Sequence, residues 1–175
     1  MKESRHSRYL GEYKMAADGQ YIYTGSSFAL ENTNGEMKKL CVLWICSLLT
    51  VIGSGFINAA GLNNSFYVIL PYIGEVACLF ALSWQIIRLL WNKGELKEYY
   101  YNKFVNSIPA ASAFMSVFSG AGFIGSVVFI ILHGFEGKPV LCVLYLILKL
   151  TVLALGALTY RFFKTINWEK KEHSN

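Results

Sequence analysis

Four long apolar runs, set apart by short polar segments, organise this chain. Leu40–Gly61 runs 22 residues without a charge, and Ile108–Leu132 runs 25. Phe66–Ile87 spans 22 residues with one charge, Glu75, and Val140–Tyr160 spans 21 with one, Lys149. A helix needs about 20 apolar residues to cross a hydrocarbon core ~30 Å thick. Buried helices of water-soluble proteins rarely run so long without a polar stripe. Lipid offers unpaired backbone groups no partner, so a spanning segment must bond within itself. The pattern predicts an all-α integral membrane protein, a four-helix transmembrane bundle with spans 40–61, 66–90, 108–132 and 140–160 in a membrane domain 40–161.

Composition agrees with that class. The 175 residues are 54% hydrophobic and 15% charged, with a mean hydropathy of +0.39. An average soluble domain carries about 25% charged residues. A disordered chain is excluded, and an ordinary water-soluble enzyme is disfavoured.

Lys and Arg set the orientation. Residues 1–39 carry six, the connection between spans two and three carries Arg88, Lys93, Lys97 and Lys103, and the tail 162–175 with its flank carries Arg161, Lys164, Lys170 and Lys171. The other two connections together carry only Lys138. The bias of 14 to 1, with Lys149 set aside, puts both termini in the cytoplasm of a multi-pass membrane protein. It also accounts for the net charge of +5 without a nucleic-acid partner, because the cations flank spans instead of forming a basic domain. Trp91, Tyr99, Tyr100, Tyr101, Phe104, Phe162, Phe163 and Trp168 gather near the inner interface, and Phe66, Tyr67 and Tyr72 near the outer one. Membrane anchoring is the simplest role for such rings.

Met37-Lys38-Lys39 and the apolar run up to Asn58-Ala59-Ala60-Gly61 resemble a secretory signal peptide. The run lies 36 residues in and exceeds the usual 7–15, so it is read as an uncleaved first span, with Met37 the alternative start.

The segment 1–39 carries its own signals. Tyr13–Ala16 and Tyr21–Thr24 flank Ala17-Asp18-Gly19-Gln20, and Asp-Gly between β-prone runs predicts a small N-terminal cytoplasmic β-hairpin over 13–24. Thr33-Asn34-Gly35-Glu36 fits a capping box, which starts the first helix near Asn34. The connection Trp91–Ser107 reads as a solvated linker with anchoring tyrosines, or as a continuation of helix two lying along the interface. The outer connections are a handful of residues each and leave no room for an enzymatic domain.

Charge inside the spans is the sharpest signal, since it is costly there and marks a site by default. Spans two and four run in the same direction. Glu75 lies nine residues past Phe66 and Lys149 nine past Val140, which places both ~13–14 Å below the outer boundary at 1.5 Å per residue. The two are expected to face one another or share a polar cavity. A buried ion pair that fixes helix register is the plain reading; a proton or ion-coupling site, or the lining of a solute path, is the functional one. Pro71 and Gly74 form a candidate helix break. If Pro71 sits in the first turn, Glu75 becomes shallow and Lys149 snorkels by itself. If Pro71 is interior, it frees the Tyr67 carbonyl just above Glu75.

Small residues supply packing faces. Ser112, Ser116 and Gly120 recur every four positions, as do Ala121 and Gly125, and span one adds Gly55 and Ala59. Such faces let helices approach closely, within one chain or between copies in a homo-oligomer. Asn58 adds a polar group for bonding across helices.

Catalytic chemistry finds little support. Cys41, Cys46, Cys78 and Cys142 form no C-x-x-C, and only His133 of three histidines lies near a span end. No metal site and no cofactor are expected. Gly120-Ala121-Gly122-Phe123-Ile124-Gly125 matches G-x-G-x-x-G, but inside an apolar helix with no preceding strand it is a packing face. The expectation is a non-catalytic accessory, assembly or regulatory membrane component whose partners are the lipid bilayer, a second copy or a membrane partner subunit. The competing class is a small oligomeric transporter or channel-like protein working through Glu75 and Lys149.

Overall fold

The computed structural model describes residues 13–15, 21–23, 25–31, 33–57, 61–135 and 137–171. It is mostly helical. Four helices carry the architecture: α1 (Thr33–Phe56), α2 (Phe66–Trp91), α3 (Glu98–His133) and α4 (Pro139–Thr165). Each is long and apolar enough to cross a membrane. They run alternately up and down, because each connection between them is too short to reverse direction any other way.

Each helix packs on two neighbours, α1 on α2 and α4, and α3 on α2 and α4. The helices α2 and α4 therefore stand diagonally across the bundle. The α1–α2 contact is the sparsest of the four. Between them runs an apolar groove of about 370 Å³ with Leu48, Val51, Gly55, Tyr72, Val76 and Leu79 among its lining. Large apolar side chains such as Phe56, Phe80, Val117, Ile131 and Val140 point outward, the reverse of a water-soluble bundle.

Among the described residues, five short strands lie in the stretches of sequence where Lys and Arg collect. The first two, β1 (Tyr13–Met15) and β2 (Tyr21–Tyr23), pair antiparallel with Tyr13 opposite Tyr23 and Met15 opposite Tyr21, so a hairpin forms. Its register is one residue off that of a two-residue Asp-Gly turn, which would set Met15 opposite Ile22. The Asp18-Gly19 turn lies outside the described residues. A separate three-stranded sheet has the order β4-β3-β5, all antiparallel, from β3 (Ser27–Leu30), β4 (Glu95–Lys97) and β5 (Trp168–Lys171). Its pairs join Phe28 to Leu96 and to Lys170. This sheet corrects the picture of a solvated inner linker and a plain tail. Lys93 and Gly94 adopt positive φ (51° and 78°), which ends α2 and turns the chain into β4. The third helix then begins at Glu98, ten residues before the expected Ile108.

Several rings placed at the inner interface pack on this sheet instead. Phe28 stacks on Tyr101 (3.9 Å between centroids), and Tyr101 meets Trp168 edge-on at 5.2 Å. Phe104 and Phe163 are buried beneath them. Trp91 alone of that group remains almost wholly exposed. At the other end α1 stops at Phe56, short of Gly61, and a 3-10 turn (Leu62–Asn64) leads into α2. Asn58 and Ala59 lie outside the described residues, as does the Thr33 side chain of the capping box; α1 itself starts at Thr33.

Candidate functional site

The sequence builds a polar centre into the bundle from the backbone outward. Helix α2 begins at Phe66, so Pro71 falls in its interior and cannot donate to the Tyr67 carbonyl. The freed carbonyl is turned into the bundle, where it abuts Gly125 of α3. A Cβ at 125 would stand 2.5 Å from the Tyr67 oxygen, so only glycine allows this approach. Three positions past Pro71, Gly74 lies under the ring of Phe118, whose atoms would be 2.7–2.8 Å from any Cβ there. Pro71 and Gly74 therefore act as two contact points between α2 and α3.

One turn below Pro71, Glu75 projects to the bundle axis. Lys149 reaches it from the diagonal helix α4, with Nζ 2.7 Å from Glu75 Oε2. Both side chains are fully buried. A direct hydrogen bond inside an apolar shell is what compensates two desolvated charges. The ammonium also faces two rings, Tyr72 at 4.7 Å and Tyr145 at 5.1 Å from their centroids. Their π faces take up the parts of the cation that Glu75 does not. Tyr72 in turn lines the α1–α2 groove, and its hydroxyl crowds the space where Gly55 lacks a side chain.

Helix α3 presents a row of buried hydroxyls to the same axis. Ser112, Ser119 and Ser126 recur every seven residues and are fully buried. Ser112 donates to the Ile108 carbonyl (3.0 Å), Ser126 to Gly122 (2.7 Å), and Ser119 across to the Lys149 carbonyl (2.6 Å). The Ser119 hydroxyl adjoins the Glu75 carboxylate as well. On α1, Ser47 and Ser54 repeat the interval and are also buried. The four-residue reading of α3 found only part of this face. Two turns of helix take close to seven residues, so positions seven apart return to nearly the same face, and the seven-residue serine interval was the available signal.

The expected packing residues divide between two interfaces. Ser116 donates to the Leu153 carbonyl of α4 at 3.2 Å, and Gly156 of α4 lies against Ser112 and Ser116. Gly120 sits at the edge of that contact, 3.4 Å from Leu153 by its absent Cβ, while Gly125 belongs to the α2 contact. Nothing joins Gly55 to this row; it serves Tyr72.

Chemically the centre offers one carboxylate, one ammonium, three serine hydroxyls and two phenols. Among the described residues no group of His, Cys, Asp and Glu has the makings of a metal site. Cys142 is buried, Cys41 and Cys78 are half-buried, and Cys46 faces outward among apolar side chains. Comparison of the chain with protein-family models, with curated proteins and with solved structures finds no match.

Proposed function

We propose that this chain is a non-catalytic, multi-pass membrane component, an accessory, assembly or regulatory subunit with both termini in the cytoplasm. The observation that carries this reading is the self-contained character of its polar centre. Glu75 and Lys149 neutralise one another inside the bundle, and both are closed off by neighbouring side chains. A transport site needs groups that meet solvent from at least one side, whereas a register lock needs them sealed. The working surfaces then lie outside, on the apolar helix faces and on the basic end that carries the sheet. Orientation follows from Lys and Arg, which cluster at that end.

Reconstitution in liposomes tests the reading. Wild type is expected to pass protons, potassium and small organic solutes no faster than empty vesicles, and Glu75→Gln is expected to change nothing. Flux above the empty-vesicle level that Glu75→Gln abolishes would transfer the assignment to the transporter class, with the Pro71 break beside the pair as its structural basis.

A further inference from the structure

Where α2 ends and α3 begins, the bundle carries a second polar cluster, and this one consists of donors. The guanidinium of Arg88 lies on the ring of Tyr100, 3.9 Å from its centroid. One turn further into the spans, Ser107 donates to Gln85 Oε1 at 2.9 Å, which leaves the Gln85 amide NH2 without an acceptor among the described residues. These two contacts fix which faces of α2 and α3 meet. Lys103 stands between them on α3, three positions after Tyr100 and four before Ser107, so it shares their side of the helix, and its side chain is exposed. Arg88 and Lys103 are thus level with one another on the outer rim of one helix seam. Neither forms an ion pair among the described residues. Trp84, one turn from Arg88 towards the apolar part of α2, is 71% exposed.

The geometry points to a headgroup site for one acidic phospholipid, in the leaflet at this end of the bundle, with its phosphate held between Arg88 and Lys103. A guanidinium stacked on a ring is held in place by one face and keeps its N–H edge for a phosphate, which it matches two bonds at a time. Lys103 adds a point charge from the neighbouring helix. With two cations and no paired acid on the rim, nothing there balances the ammonium of a zwitterionic headgroup. The surroundings favour a lipid over a free anion. Trp84 marks the level where water gives way to acyl chains. The Gln85 amide lies beyond the phosphate level, where a phospholipid carries ester carbonyls and a dissolved phosphate has nothing to offer. The inference rests on the helices spanning a bilayer, and it holds whether the protein is an assembly subunit or a transporter.

Thermal unfolding of the full-length protein in detergent, with phosphatidylglycerol, phosphatidylcholine or glycerol phosphate added, tests the site. Phosphatidylglycerol at roughly ten times its dissociation constant is expected to raise the melting temperature by about 3–6 °C, and the other two to leave it in place. Arg88→Gln/Lys103→Gln is expected to lose that rise. Lys38→Gln/Lys39→Gln, which removes as much charge elsewhere, is expected to keep it. Equal losses in the two double variants would overturn the proposal in favour of a diffuse attraction between basic residues and acidic lipid. A rise as large with phosphatidylcholine or with glycerol phosphate would overturn it too, the latter in favour of a dissolved anion. Should the site variant fail to fold, Lys103→Gln alone decides, because its exposed side chain makes no hydrogen bond among the described residues. A reduced rise then supports the site, and a full one refutes it. Insertion is read separately, from carbonate-resistant recovery in phosphatidylcholine vesicles, so an inserted protein without a lipid effect counts against this site alone.

Discussion

The centre of the bundle and its sheet end solve the same problem by opposite means. Both must hold chain segments far apart in sequence. The centre does it with two charges and a row of serines inside an apolar surround, Glu75 and Lys149 being 74 residues apart. The sheet end does it with backbone hydrogen bonds and stacked rings, pairing Ser27 with Lys97 on one side and with Lys171 on the other. A misplaced charge has no substitute partner inside the bundle, whereas a lost strand at the basic end finds water. The centre should therefore respond to substitution globally, and the sheet end locally.

Reversing one charge is the harshest way to break that contrast. Glu75→Lys puts two ammonium groups together, and Lys149→Glu two carboxylates, in a site without solvent. Breaking a buried pair costs roughly 3–5 kcal/mol, and like charges add to that. Each single variant is expected to lose its monodisperse peak in detergent size-exclusion chromatography, and the double swap to regain it. Preserved peaks for both singles would mean that the pair does not hold the bundle together.

The second test stays in the bundle but leaves charge alone. Gly125→Ala forces a methyl against the Tyr67 carbonyl, a backbone atom that cannot rotate away. Overpacking of this kind costs about 1–3 kcal/mol, and the helix preference for alanine offsets less than about 1. A melting temperature lowered by several degrees is expected. An unchanged value would show that α2 and α3 shift apart freely and that the contact with the Tyr67 carbonyl is incidental.

These two regions also differ in how far they could be read in advance. A lone charge in a span of some 20 apolar residues is conspicuous, and a fixed rise of 1.5 Å per residue turns its position into a depth. Equal depth for Glu75 and Lys149 followed from counting, and so did their expected meeting. The serines were visible too, but an interval of four was taken where the bundle uses seven. Ser119 and Ser126 were missed for that reason. The sheet left almost no local trace. Glu-Leu-Lys and Trp-Glu-Lys-Lys contain no β-branched residue, and their strand character comes from pairing with β3. That pairing exists only after four helices have brought the three segments to one end. Tyr101 and Trp168 could be read singly as anchors because their stacking with Phe28 and each other is a property of the assembled fold.

The mildest perturbation probes the sheet end by itself. Trp168 is half-buried, opens β5 opposite Leu30, and lies edge-on to Tyr101 and near Phe163, 6.2 Å between centroids. Its removal in Trp168→Ala forfeits an aromatic contact worth about 0.5–1.5 kcal/mol together with part of its burial. The strand it begins is four residues long and carries exposed Glu169, Lys170 and Lys171, so Trp168 is its one half-buried side chain beside the backbone pairing with β3. Amide hydrogen exchange is the appropriate measurement because it resolves regions. Faster exchange is expected in Ser27–Leu30 and Trp168–Lys171, with the amides around Ser119 and Lys149 unchanged. Acceleration that spread into the bundle centre would join the two regions into one cooperative unit. The contrast between a sealed interior lock and a separable clasp would then fail.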